Sequence, residues 1–114
     1  MKSLAFVTLA GFLAVPLAAA AAESTWKNVS VIDGNCVSKM KADPDKHTAK
    51  CALQCEKGGY GLLDAEGNYL KFDSEGNEKT VAALKATKKT DHLRVTVVGE
   101  KDGATIKVKS LSIE

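Results

Sequence analysis

The sequence predicts an α+β, mainly β domain: a small five-stranded OB-like barrel, with a helical insertion between strands 1 and 2 and a helix between strands 3 and 4. Three observations lead there. Short segments with alternating apolar and polar residues recur along the chain, separated by turns rich in Gly, Asp and Asn. Two stretches carry helical spacing instead. The resulting order of strand, helical insertion, strand, strand, helix, strand, strand is that of the OB barrel. An ordinary α+β meander of the same elements is the competing arrangement. Residues 23–114 are enough for a single β-rich domain with one modest core. Aromatic residues are 5% of the chain, so that core must come from Val, Leu, Ile and Ala.

Trp26 to Asp33 reads as the first strand, with Val29 and Val31 on one face and Asp33-Gly34 ending it. Cys36 to Lys46 is irregular and Lys-rich, broken by Asp43-Pro44-Asp45. Thr48 to Lys57 reads as a helix stopped by Gly58-Gly59. Its start has two solutions: Asp43 as the cap with Pro44 in the first position, or Thr48 as the cap. Tyr60–Asp64 and Tyr69–Asp73 form a hairpin around Ala65-Glu66-Gly67-Asn68, with Leu70 and Phe72 pointing inward. Glu78 to Ala86 is helical, with Val81 and Leu84 on one face. Leu93, Val95 and Val97 alternate with Arg94 and Thr96 as a half-buried strand. After Lys101-Asp102-Gly103 a last strand runs through Ile106, Val108, Leu111 and Ile113. Its apolar phase slips between Val108 and Leu111, which predicts a bulge near Ser110.

Residues 1–22 have the three parts of a secretory signal. Lys2 supplies the positive end, Leu4 to Leu17 is uncharged and apolar, and small residues follow Pro16 up to Ala22. The apolar segment falls short of the roughly 20 residues that span a bilayer, so cleavage before Glu23 is expected rather than anchoring. The product is expected to be periplasmic or secreted, with no membrane association after cleavage. Loss of Lys2 with the leader reduces the net charge from +2 to +1, too balanced to point to nucleic acid or an anionic membrane.

All three cysteines, Cys36, Cys51 and Cys55, lie close to His47 in the sequence. On a helix starting at Pro44, the residues His47, Cys51 and Cys55 recur every fourth position and line one stripe. Cys36 can fold back onto that stripe. Three sulfurs and one nitrogen suit zinc in a closed site, or a soft ion such as copper(I). Lys39, Lys41, Lys46, Lys50 and Lys57 are expected to favour the thiolates that bind metal. If Thr48 is the cap, His47 lies outside the helix and Cys51 enters its first turn. The competing reading is a disulfide from Cys36 to Cys51 or Cys55, the oxidising destination favouring a bridge and leaving one thiol over. A thiol redox role is a third reading. The chain has neither C-x-x-C nor C-x-x-C-H, which argues against thioredoxin-like exchange and heme attachment.

Other candidates are weaker. His92 stands alone beside a strand, and Asp64, Glu66, Asp73 and Glu75 lack the spacing of a calcium loop. Tyr60, Tyr69, Lys71 and Phe72 fall on the strands that bind oligomers in OB barrels, but Phe72 is better placed in the core. No nucleophile motif such as G-x-S-x-G occurs, and no enzyme class is indicated.

From Asp33 onward the chain resembles a group of small exported bacterial proteins of unknown function. The resemblance is carried by Asp33 and Cys36, by His47 through Cys55, by Gly59-Tyr60-Gly61, Lys71-Phe72-Asp73 and Gly76-Asn77, and by Leu84 through Thr87 and Leu93 through Val97. It implies export and a recurring cysteine–histidine arrangement, and no activity. The expected function is a non-enzymatic exported binding module whose partner is a metal ion or a protein. Its alternatives are a disulfide-stapled interaction domain and a thiol redox protein. The intact mass of exported protein is expected to correspond to a chain beginning at Glu23; a chain retaining Met1 would overturn the leader assignment.

Overall fold

The computed structural model describes residues 22–114, so the leader expected over residues 1–22 lies, Ala22 apart, outside the described residues. Its strands are β1 (Glu23–Asp33), β2 (Tyr60–Leu63), β3 (Tyr69–Phe72), β4 (Arg94–Asp102) and β5 (Thr105–Ile113). Its helices are α1 (Val37–Met40), α2 (Ala49–Gln54) and α3 (Ser74–Ala86), with single 3-10 turns at Pro44–Lys46 and Glu56–Gly58. Among the described residues no helix is long and apolar enough to cross a membrane.

The strands close into a barrel in the order β1-β2-β3-β5-β4, the OB-like arrangement that the element order predicts. Closure rests on β1 being long enough to serve two neighbours. Its C-terminal residues Ser30–Asp33 pair with β2, and Glu23–Ser30 pair with β4. A short parallel contact, Lys71 with Thr105 and Phe72 with Ile106, joins β3 to β5. The alternation in β4 is realised: Val95 and Val97 are buried while Arg94 and Thr96 are half-exposed. Leu70 and Phe72 likewise turn inward and Lys71 faces solvent. These residues, with Val31, Leu62, Leu93, Ile106 and Val108, fill the barrel, and Leu84 and Ala52 reach it from α3 and α2.

Two irregularities bend the strands. Val98 faces Ser110 and Gly99 faces Val108, so Lys109 is the extra residue of a bulge beside the predicted position. On β1 the register slips between Trp26 and Val29, and Asn28 takes a left-handed φ of 52°. Alternation in the sequence does not announce this second bulge. Helix α3 begins at Ser74, earlier than the predicted Glu78, because the Asp73 side chain caps it by accepting the Gly76 amide at 2.9 Å. Gly76 lies inside this helix, and its missing side chain is what lets α3 lie on the barrel. A Cβ there would stand 2.5 Å from Val108 Cγ2.

The insertion between β1 and β2 is tied down across one rim. Arg94 donates to both Asp45 carboxylate oxygens at 2.9 Å, while the His92 amide donates to the Asp45 carbonyl at 2.9 Å. The Ala49 amide donates to the Thr90 carbonyl at 2.9 Å, and the Tyr60 hydroxyl, from β2, donates to the Ala52 carbonyl at 2.7 Å. The bonds from Arg94 hold the Asp45 carboxyl below the usual carboxylate range. A carboxyl with a lower pKa folded than unfolded stabilises the fold above its unfolded pKa. That contribution is lost as pH falls through the folded value. Denaturant titrations from about pH 5 down to about pH 2 are expected to show a larger acid loss in the wild type than in Asp45→Asn; equal losses would remove this anchor from the account.

Candidate metal centre

The site is organised by an aspartate at the end of a strand. Asp33 is fixed by the pairing of β1 with β2, directly opposite Tyr60, and is fully buried. Its two carboxylate oxygens have separate tasks. Oδ2 accepts the Cys36 amide at 3.0 Å, which closes the turn leading into α1. Oδ1 lies 2.7 Å from His47 Nε2. A carboxylate only accepts, so in the neutral ring Nε2 carries the hydrogen and Nδ1 keeps its lone pair. His47 is itself 3% exposed.

His47 arrives there because the chain between the Pro44–Lys46 turn and α2 is extended, with ψ of 129° at His47 and 152° at Thr48. Thr48 is the helix cap, its hydroxyl accepting the Cys51 amide at 3.1 Å. Of the two starts open in the sequence, the continuous helix from Pro44 is therefore not formed. The stripe of His47, Cys51 and Cys55 does not exist: His47 precedes the helix, Cys51 is exposed in its first turn, and Cys55 is its C-terminal cap.

Of the four residues singled out from the sequence, the structure brings Cys36 and His47 together and adds Asp33. One carboxylate oxygen, the Cys36 sulfur and one ring nitrogen lie within 4.8 Å of one another. Cys55 and Cys51 are outside this group. Cys55 nevertheless lies near enough to Cys36 to help raise its thiol. Asp33 was missed because a strand-ending Asp before Gly reads as a turn residue. Its spacing of three from Cys36, with an amide there to be capped, is the signal that marks it.

The electrostatics also differ from the expectation. Lys39, Lys41, Lys46, Lys50 and Lys57 are all exposed, where water screens them. Cys36 responds to what lies beside it. Burial, then the negative charge and hydrogen bonding of Asp33, then Cys55, push its thiol up to about 11. The resting thiol is protonated, and a cation that takes its sulfur must displace a proton.

The remaining candidates are accounted for locally. The Asp64 carboxylate is taken up by the hairpin, with Oδ1 accepting the Glu66 and Asn68 amides at 2.9 and 2.8 Å. His92 is exposed and hydrogen-bonds Asp91, which raises its pKa. Tyr60 is buried rather than displayed, and the Tyr69 hydroxyl donates to the Ile32 carbonyl at 3.1 Å.

Comparison of the chain with protein-family models, curated proteins and solved structures finds no match.

Removing one partner of the buried pair leaves the other charge uncompensated. In metal-free, reducing buffer, His47→Ala is expected to lose about 3 kcal/mol of unfolding free energy, and Cys51→Ser less than about 0.5. A loss below about 1 kcal/mol for His47→Ala in urea denaturation would show that the pair does not hold the insertion.

Proposed function

We propose that this domain is an exported, non-enzymatic binding module that holds a transition-metal ion through Cys36 and His47, with Asp33 as third ligand or as the partner that orients the imidazole. The observation that carries this reading is the convergence of carboxylate, sulfur and ring nitrogen within 4.8 Å at a barrel rim, two of the three residues being buried. Ligands of a tetrahedral zinc ion sit roughly 3.3–3.8 Å apart, so small side-chain movements separate this cluster from a filled site. The donor set of one sulfur, one nitrogen and one oxygen fits zinc, and copper(I) would draw more on the sulfur.

Carboxylate–histidine pairing is the usual means of fixing a metal-binding imidazole. Asp33 already supplies it, and half-buried Cys36 supplies the route inward from solvent. The same geometry supports a non-catalytic role. Asp, His and Cys also make up a nucleophile triad, but burial and the neighbouring Asp33 charge raise the Cys36 thiol and keep it protonated. Membership in the resembling group of exported bacterial proteins belongs to the same proposal.

The proximity of Cys55 to Cys36 favours a second reading, in which these residues form a disulfide that only pins the insertion.

Zinc titration of the reduced protein, with elemental analysis, is expected to give one ion per chain. Cys36→Ser is expected to weaken binding by about 100-fold or more, and Cys51→Ser to leave it unchanged. Cys36 is the chosen ligand variant because its backbone amide, not its sulfur, satisfies Asp33. No bound ion, or unchanged affinity in Cys36→Ser, would overturn the metal reading in favour of the staple.

A further inference from the structure

We infer that Cys55 is the redox partner of the ion ligand Cys36, so that oxidation of this thiol pair to a disulfide expels the metal. The inference rests on the ion-site reading and adds its regulation. One sulfur has two sets of neighbours: Cys36 belongs to the Asp33–His47 cluster and also lies near Cys55, which the cluster does not include. Whichever neighbour takes it withholds it from the other.

The backbone suits such an exchange. Cys36 sits on a turn held by its own amide on Asp33, which fixes one end of the pair. Cys55 caps α2 with φ of −104° and ψ of 26°, outside regular helix geometry. Its amide makes a long 3.3 Å bond to the Cys51 carbonyl, and a 3-10 turn follows. Small rotations there change the direction of the Cys55 side chain without unwinding α2. Cys51 is different: it lies in the first helical turn, its amide held by the Thr48 hydroxyl, and it is exposed to solvent.

The chemistry balances with a low-molecular-weight disulfide as oxidant. One protein thiolate attacks that disulfide, forming a mixed disulfide and releasing one small thiolate. The second protein thiolate attacks the protein sulfur of the mixed disulfide, forming the Cys36–Cys55 bond and releasing the other small thiolate. The two protein sulfurs are oxidised and the reagent is reduced to two small thiols. In the loaded chain Cys36 is already a thiolate, so the two small thiolates take up the one proton lost by Cys55 and one from solvent. Cys36 is left with no thiolate to donate, so the ion departs.

The test uses the reduced full chain loaded with zinc and treated with oxidised glutathione. Released zinc is followed with a chromogenic chelator, and oxidation by intact mass and disulfide mapping. Zinc release is expected to track formation of one internal Cys36–Cys55 bond. Cys55→Ser is expected to bind zinc as the wild type does but to release it about tenfold more slowly or less, with Cys51→Ser unchanged. Release from Cys55→Ser at the wild-type rate, loss of zinc binding in Cys55→Ser, or zinc retained after the bond has formed would each overturn the inference while the ion site stands. A reduced wild-type chain that binds no zinc would instead sink the ion site, and this coupling with it.

Discussion

The buried pair of Asp33 and His47 is the constraint on which the placement of the insertion depends. A carboxylate with no exposure pays a desolvation penalty of several kcal/mol unless its lone pairs are occupied. Both oxygens are: one by the imidazole and one by the Cys36 amide. Because Asp33 ends a strand that is paired on the barrel wall, its position is set by the sheet. The residues that satisfy it must come to it, which brings the turn at Cys36 and the extended segment at His47 to the same rim. Arg94 and Asp45 hold the same segment from the β4 side. An insertion with very short helices is thereby given a fixed course without a core of its own.

The same carboxylate sets the chemistry. Burial first, and then the charge of this carboxylate, keep the neighbouring thiol protonated, although the surrounding sequence is rich in lysine. Proximity outweighs number here: Asp33 is buried against the sulfur, whereas the lysines stand in water that screens them. A cation taking the Cys36 sulfur would have to replace the thiol proton. In the proposed ion site the Asp33–His47 bond would orient the imidazole as well as hold the insertion.

Much of the barrel was legible because strand period and burial coincide. Leu93, Val95 and Val97 alternate cleanly and do line the core; the phase slip after Val108 does correspond to a bulged residue, Lys109. Where tertiary contacts overrule local pattern, the reading shifted. Helix α3 begins at Ser74 and not at the expected Glu78, with Gly76 inside it because Val108 needs the space. Asn28 bulges β1 with no apolar slip to reveal it. For the site, Cys36 and His47 were found from residue chemistry, Cys51 was drawn in by a helical periodicity that does not extend back through Thr48, and Asp33 passed as a turn residue.

By itself the sequence determined the element order, and with it the barrel, because alternation, turn residues and caps are local and additive along the chain. It also determined which side chains could take part in thiol or metal chemistry. Which of them meet was decided only by the tertiary structure. A helix cap at Thr48 turns His47 out of the helix and Cys51 toward solvent, and strand pairing buries Asp33 where an imidazole and an amide satisfy its two oxygens. Burial of a charge is a property of the assembled rim, which no window of the sequence contains.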